Sequence, residues 1–221
     1  MMISPETYYE MNLQGKFPKE IMEKIRSLKM QIGQLKRSIE NADDIVCEVF
    51  PGRLTRLKCN RDYLERAIQA YEEAGGEYVR SKAEQKDHDF NEALDSMSKL
   101  VFTIGGFFCG YETRTFTVSD DQVLVDVEKT VMTMDKGEEY GPYRKEDFIS
   151  GIKALHIGEW KRTYIDPLVL DGTQWELDIY YNNGRKAVKI SGSNAYPYNF
   201  EDLKEFLEVE MEDEEDEQNQ D

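Results

Sequence analysis

The stretch that decides the fold is QWELDIYYNNGRKAVKI, residues 174–190. Apolar residues alternate with polar ones from Trp175 to Tyr181, and this period of two is typical of a strand with one buried face. The dipeptide Asn183-Gly184 then favours a type I′ turn, and a second strand returns through Ile190. The stretch therefore predicts an antiparallel β-hairpin.

The same period of two appears three more times upstream, over residues 100–104, 113–118 and 123–128. Three segments with apolar residues at helical spacing lie between or beside these strands: residues 81–97, 144–158 and 199–207. Strands joined by short turns favour antiparallel pairing. The sequence thus predicts an α+β fold with an antiparallel sheet of about five strands and helices on one face.

The N-terminal region carries a stripe of apolar residues at spacings of four and three, which predicts a helix with a narrow seam. The stripe consists of Ile21, Ile25, Leu28, Ile32, Leu35 and Ile39. A second helix is predicted from Asn60, as N-cap, to Gly75. We expect the two helices to form a hairpin that buries the seam within one chain, so that the protein is a monomer. The alternative is a dimeric coiled coil.

Charge divides the chain into three parts. Residues 1–80, the helical hairpin region, hold 13 basic and 13 acidic side chains, and residues 81–207, the α+β body, hold 15 and 23. Residues 208–221 hold nine acidic side chains and no basic one, which predicts a disordered acidic tail. A net charge of −17 disfavours direct binding to nucleic acid and favours a basic protein partner.

Cysteine usage and hydropathy indicate a cytoplasmic protein. Cys47, Cys59 and Cys109 are odd in number and scattered, so they predict neither a disulfide framework nor a zinc pair. The first residues resemble no signal peptide, and no apolar stretch is long enough to predict a membrane span.

No catalytic constellation is evident, and the sequence predicts no metal site and no cofactor. His88 lies in a charged helix and is interpreted as a surface residue rather than a ligand. His156 follows a predicted helix end, where a positively charged imidazole interacts favourably with the helix dipole. We prefer this role as a helix cap to a catalytic role. The sequence therefore leans against an enzyme, although a magnesium site needs only one or two carboxylates.

The best functional pointer is an aromatic set in the C-terminal third, namely Trp160, Tyr164, Trp175, Tyr196 and Tyr198. One interpretation places these residues in the core, with the tyrosines fixing a loop to the sheet. The other is a binding groove, in which Asn194 adds hydrogen bonds and Arg162 contributes to a local basic patch.

Three runs in the same region carry a family resemblance: His156–Trp160, Asp171–Trp175 and Ser191–Pro197. They resemble a family of gut-bacterial proteins of the Firmicutes type, often encoded on mobile elements. The resemblance implies a cytoplasmic bacterial protein and implies no activity, ligand or catalytic residue.

Two functions follow as predictions. The first is a non-enzymatic acidic interaction protein that binds a basic protein partner; its concrete form, given a mobile-element setting, is a nucleic-acid mimic that inhibits a defence nuclease. The alternative is a small enzyme that uses carboxylates and a divalent metal ion beside Tyr196 to process a nucleotide or another small ligand.

Overall fold

The structure is a computed structural model that describes residues 2–41, 50–106, 110–130, 141–169 and 172–209. The chain forms two compact units, Met1–Ser81 and Lys82–Asp221. Cys47, Cys109, Asp171 and the acidic residues 210–221 lie outside the described residues. Cys59 is a free thiol.

Six α-helices and seven strands are described. The helices are α1 Pro5–Asn12, α2 Pro18–Glu40, α3 Arg53–Glu73, α4 Lys82–Ala93, α5 Lys145–Ala154 and α6 Phe200–Phe206. The strands are β1 Met97–Gly106, β2 Gly110–Val118, β3 Gln122–Lys129, β4 Tyr143–Arg144, β5 Thr163–Ile165, β6 Gln174–Tyr181 and β7 Val188–Ser193. Single 3-10 turns, Leu94–Ser96 and Ile157–Glu159, follow α4 and α5.

The predicted seam of α2 is buried within the chain. Five of its six residues are buried, from Ile21 to Leu35, and Ile39 at the end of the helix is half-buried. Ala67 and Ala70 of α3 belong to the same core cluster, and their small side chains let the two helices approach closely. Since apolar surface of both helices is removed from water, this packing stabilises the hairpin.

Two features of the first unit differ from prediction. Helix α3 begins at Arg53 rather than after Asn60, because Leu57 is buried and the Arg53 guanidinium donates to the carbonyl of Ser38 at 2.7 Å. Helix α1 was not predicted. Its signal is the capping Ser4, which accepts from the backbone N–H of Thr7 at 3.1 Å, followed by a first-turn proline.

The second unit contains one mixed sheet in the order β4-β3-β2-β1-β6-β7-β5. The predicted sheet of about five antiparallel strands is therefore wrong in two details. Strands β4 and β5 are added, and β5 runs parallel to β7, with Thr163 opposite Ser191. Both added strands have three residues or fewer, too few to show a period of two.

Alternation gives the sheet two different faces. Leu100, Phe102 and Ile104 of β1 are buried on one face, together with Phe116 and Leu177 of the neighbouring strands. Helices α5 and α6 pack on this face through aromatic rings: Phe148 lies 5.1 Å from Phe116 between ring centroids, and Phe200 lies 6.0 Å from Phe102.

The predicted type I′ turn at Asn183-Gly184 does not close a tight hairpin, because β6 ends at Tyr181 and β7 begins only at Val188. The end of β6 is held by β1 instead. Tyr181 lies opposite Met97, and the backbone N–H of Asn182 donates to the carbonyl of Ser96 at 2.9 Å.

The last described residue, Val209, is 7% exposed, and its backbone N–H donates to the carbonyl of Lys204 at 2.9 Å. The predicted tail boundary at residue 208 therefore precedes one residue with core contacts. Among the described helices, none is both long and apolar enough to cross a membrane.

Candidate functional site

Most of the predicted aromatic set lies in the core of the second unit. Trp160, Tyr164, Trp175 and Tyr198 are each 6% exposed or less. The rings of Trp160 and Trp175 meet edge to face with centroids 6.1 Å apart, and Tyr164 lies 5.8 Å from Trp175. These contacts favour the core interpretation over the groove for these four residues.

Polar atoms of the buried indoles are satisfied by hydrogen bonds inside the protein. Nε1 of Trp160 donates to Oδ1 of Asn199 at 3.0 Å, and Nε1 of Trp175 donates to the carbonyl of Ala195 at 3.0 Å. Asn199 in turn donates to the carbonyl of Leu155 at 2.6 Å. A buried Trp needs such a partner, so these bonds fix the ring orientations.

The remaining predicted site residues lie at or near the surface. Tyr196 is half-buried with its ring centroid 4.8 Å from that of Phe200, and Arg162 is exposed just before β5. Asn194 has a left-handed φ of 53° and donates from Nδ2 to the carbonyl of Val169 at 3.3 Å. A side chain at Gly172 would overlap the amide of Asn194, which gives that glycine a packing role.

A polar cluster that sequence reasoning missed lies where α4 approaches the turn after α5. Nδ1 of His156 lies 3.1 Å from Oδ2 of Asp87, and Glu159 is the third member. The potential ligand atoms of the three side chains lie within 4.8 Å of one another. Asp87 and His156 are 69 residues apart, so only the fold brings them together.

Close packing of backbone positions this cluster. Gly158 lies so near α4 that an added Cβ would come within 2.6 Å of Oδ1 of Asp87 and 2.8 Å of Cβ of Phe90. The Lys86 amine donates to the carbonyl of Trp160 at 2.9 Å, which ties the same turn to α4. His156 itself adopts a left-handed φ of 51°, which non-glycine residues rarely do.

Glu159 also accepts a hydrogen bond from Tyr198, in the loop between β7 and α6. The Tyr198 hydroxyl donates to Oε2 of Glu159 at 2.8 Å, and Tyr198 is 6% exposed. His156 was predicted to cap the C-terminal end of a helix, and it does follow the end of α5. Its side chain, however, pairs with Asp87. A His at a helix end followed by Gly and Glu is the sequence signal that could have indicated this cluster.

A second candidate surface is the sheet face opposite the helices, which we call the open face. It consists of Lys99, Val101, Thr103, Thr113, Thr115, Thr117, Leu124, Asp126, Glu128, Glu176, Asp178, Tyr180, Lys189 and Ser191. Each of these side chains is exposed or half-buried.

Strand register aligns these residues in rows. One row runs Glu128–Thr113–Thr103–Glu176 from β3 to β6, and the two threonine hydroxyls lie 3.0 Å apart. In the next row, Asp178 pairs with Lys189 and accepts from the Tyr180 hydroxyl at 2.9 Å. The hydrogen bond to Asp178 raises the pKa of Lys189 above its ordinary value.

An open cleft of 790 Å³ lies between the β2–β3 turn and α5. It is a weaker candidate for a binding site than the polar cluster or the open face. Its charges are largely paired. Lys153 donates to Asp95 at 2.7 Å, and Arg144 lies 3.4 Å from Glu146. Paired surface charges of this kind leave little unsatisfied attraction for a ligand.

Compared with protein-family models, with curated proteins and with solved structures, the chain matches none of them. The resemblance of the three C-terminal runs to a gut-bacterial family thus stays a prediction. Two surfaces carry the functional argument: the Asp87–His156–Glu159 cluster and the open face.

Proposed function

We propose that the protein is an acidic interaction protein that binds a basic protein partner through the open face. The observation that carries the proposal is a set of three exposed carboxylates, Asp126, Glu128 and Glu176. Within the described part of the chain, no hydrogen bond or ion pair is shown for any of them, whereas Asp178 on the same face has Lys189.

The spacing of these carboxylates suits an extended basic segment. Asp126 and Glu128 lie two residues apart on β3, about 7 Å along the strand. Glu128 and Glu176 lie in one row three strands apart, at about 14 Å, with hydroxyls of threonine between them. Lysine or arginine side chains reaching across the row would meet acceptors at each strand.

Charge complementarity also extends to the C-terminal segment. The 208–221 segment adds nine carboxylates without a basic residue, so it attracts the same partner over the Debye length of about 8 Å at physiological salt. The more specific form of the proposal remains inhibition of a nuclease, with the carboxylates imitating phosphates. Such a partner would present a basic nucleic-acid groove.

The test is zero-length carbodiimide cross-linking, which joins carboxylates to partner lysines, in lysate containing the full chain. We expect cross-links at Asp126, Glu128 and Glu176. The triple variant Asp126→Asn, Glu128→Gln, Glu176→Gln should lose the partner.

A matched control removes three exposed carboxylates from the helices of the first unit: Glu23→Gln, Asp62→Asn and Glu65→Gln. It changes net charge equally and should keep the partner. Equal loss in both variants would show that only net charge matters. Cross-links confined to residues 208–221 would contradict a role for the open face.

A further inference from the structure

We propose that Asp87, His156 and Glu159 form a binding site for one divalent transition-metal ion of the zinc type. The proposal rests on a different surface from the open face and does not depend on the basic partner. Its first support is the donor set. One imidazole and two carboxylates converge from α4 and from the turn after α5, with ligand atoms within 4.8 Å of one another.

The distances are close to those of a zinc site. In tetrahedral zinc sites, metal–ligand bonds of about 2.1 Å place neighbouring ligands about 3.4 Å apart. Nδ1 of His156 and Oδ2 of Asp87 lie 3.1 Å apart. The ligand atoms lie within 4.8 Å of one another, so the widest separation has to shrink by at most about 1.4 Å when zinc binds.

An unsatisfied atom gives a second and independent support. Oδ1 of Asp87 is shielded from solvent and has no hydrogen-bond partner among the described residues. A buried carboxylate oxygen without a partner is costly, and a cation offsets that cost. The side chain of Asp87 is 14% exposed and that of His156 is 35% exposed, so the site is enclosed on the Asp87 side and open to solvent at the imidazole.

The chemistry of the donors selects the class of ion. An imidazole nitrogen suits zinc and other transition metals, whereas magnesium and calcium favour oxygen ligands alone. Three protein ligands leave at least one coordination position for water or a ligand group. The Tyr198 hydroxyl, 2.8 Å from Oε2 of Glu159, would orient that carboxylate, as hydrogen-bond partners of metal ligands commonly do.

A plain ion pair is the competing explanation for the same geometry. A protonated His156 paired with Asp87 would join α4 to the end of α5 without any metal. The two explanations differ in whether the chain binds added zinc at His156. His88 provides a matched control, because it is the other histidine of the chain and lies beside Asp87 in α4.

The experiment uses the full chain without a histidine tag, treated with chelator and titrated calorimetrically with zinc, manganese and magnesium at physiological salt. We expect one zinc ion per chain and much weaker magnesium binding. His156→Gln and Glu159→Gln should each weaken zinc binding at least 100-fold, while His88→Gln should leave it unchanged.

A second readout needs no variant. Diethyl pyrocarbonate modifies accessible imidazoles, and mass spectrometry reports each site. Zinc should protect His156 while His88 reacts as before. Absence of stoichiometric zinc binding, binding that survives His156→Gln, or equal modification of both histidines with and without zinc would each overturn the proposal.

Discussion

The Arg114 guanidinium donates from Nη1 to the carbonyl of Leu207 at 2.8 Å, although the two residues are 93 positions apart. Arg114 is 2% exposed and also pairs with Glu112. The bond joins the middle of β2 to Leu207, the residue that follows α6. A buried cation thus connects the sheet to the last helix.

We expect Arg114→Ala to destabilise the second unit by about 3–5 kcal/mol, because it removes a buried cation, takes the donor from the carbonyl of Leu207 and leaves Glu112 with the more exposed Lys129 at 3.6 Å. Chemical denaturation followed by tryptophan fluorescence measures this, since both tryptophans lie in that unit. Arg144→Ala is the control, as that arginine is exposed and should change stability by less than about 1 kcal/mol. Equal effects of the two substitutions would contradict the role assigned to Arg114.

The seam of α2 gives the second prediction. Ile32 is 8% exposed, so Ile32→Asp should cost about 2–5 kcal/mol through lost burial and an unpaired charge. Met30 on the same helix is 57% exposed, and Met30→Asp should be nearly neutral. Urea unfolding monitored by circular dichroism compares the two. A dimer that Ile32→Asp splits into folded monomers would instead make the seam an interface.

Substitution of Tyr181 is expected not to lower stability, in contrast to the substitutions above. Its hydroxyl is buried and has no hydrogen-bond partner among the described residues. Removing an unsatisfied group releases its desolvation cost, so Tyr181→Phe should leave stability unchanged or raise it by up to about 2 kcal/mol. The neighbouring Tyr180 donates to Asp178, so Tyr180→Phe should lower stability by about 1 kcal/mol. Thermal melts of both variants settle the comparison, and a clear loss in Tyr181→Phe would contradict it.

The same tyrosine predicts an alkaline effect. Burial raises the pKa of Tyr181 above its ordinary value of 10.0, and the nearby Arg185 opposes this in part. Because the folded-state pKa is raised, ionisation of Tyr181 costs no stability below pH 10 and lowers stability as pH rises above it. Tyr181→Phe should therefore flatten the fall in stability above pH 10. An unchanged curve would show that other groups control the alkaline limb.

The C-terminal boundary can be located by truncation. Deleting residues 210–221 should shift the melting temperature by less than about 2 °C, because a repelling acidic run adds little to folding. Deleting residue 209 as well removes a side chain that is 7% exposed, which should cost about 1–2 kcal/mol. If both truncations are equally harmless, the contacts of Val209 contribute nothing measurable.

Sequence periodicity predicted the elements that are long and amphipathic. The seam of α2 and strands β1, β2, β3 and β6 have eight or more residues, enough for a period to repeat several times. Strands β4 and β5 were missed because they have two and three residues, and the parallel pairing of β5 depends on a chain path that no local pattern encodes.

The candidate sites were less predictable than the fold. The abundance of aromatic residues drew attention to Trp160 and Trp175, but a large apolar ring serves a core as well as a groove, and only burial distinguishes the two. Asp87 lies in α4, whereas His156 and Glu159 lie in the turn after α5, and both segments have ordinary composition. Their proximity is a tertiary property, so a single sequence without relatives gives little warning of it.

The central place of β1 has a consequence for how the chain is made. Leu100 of β1 pairs with Phe116 of β2 on one side and with Ile179 of β6 on the other. The second partner is synthesised much later. At about 5–20 residues per second, β1 waits roughly 4–16 s with one edge unpaired. An unpaired apolar edge recruits other chains, so the nascent protein is most prone to aggregate during this interval, before β6 leaves the ribosome.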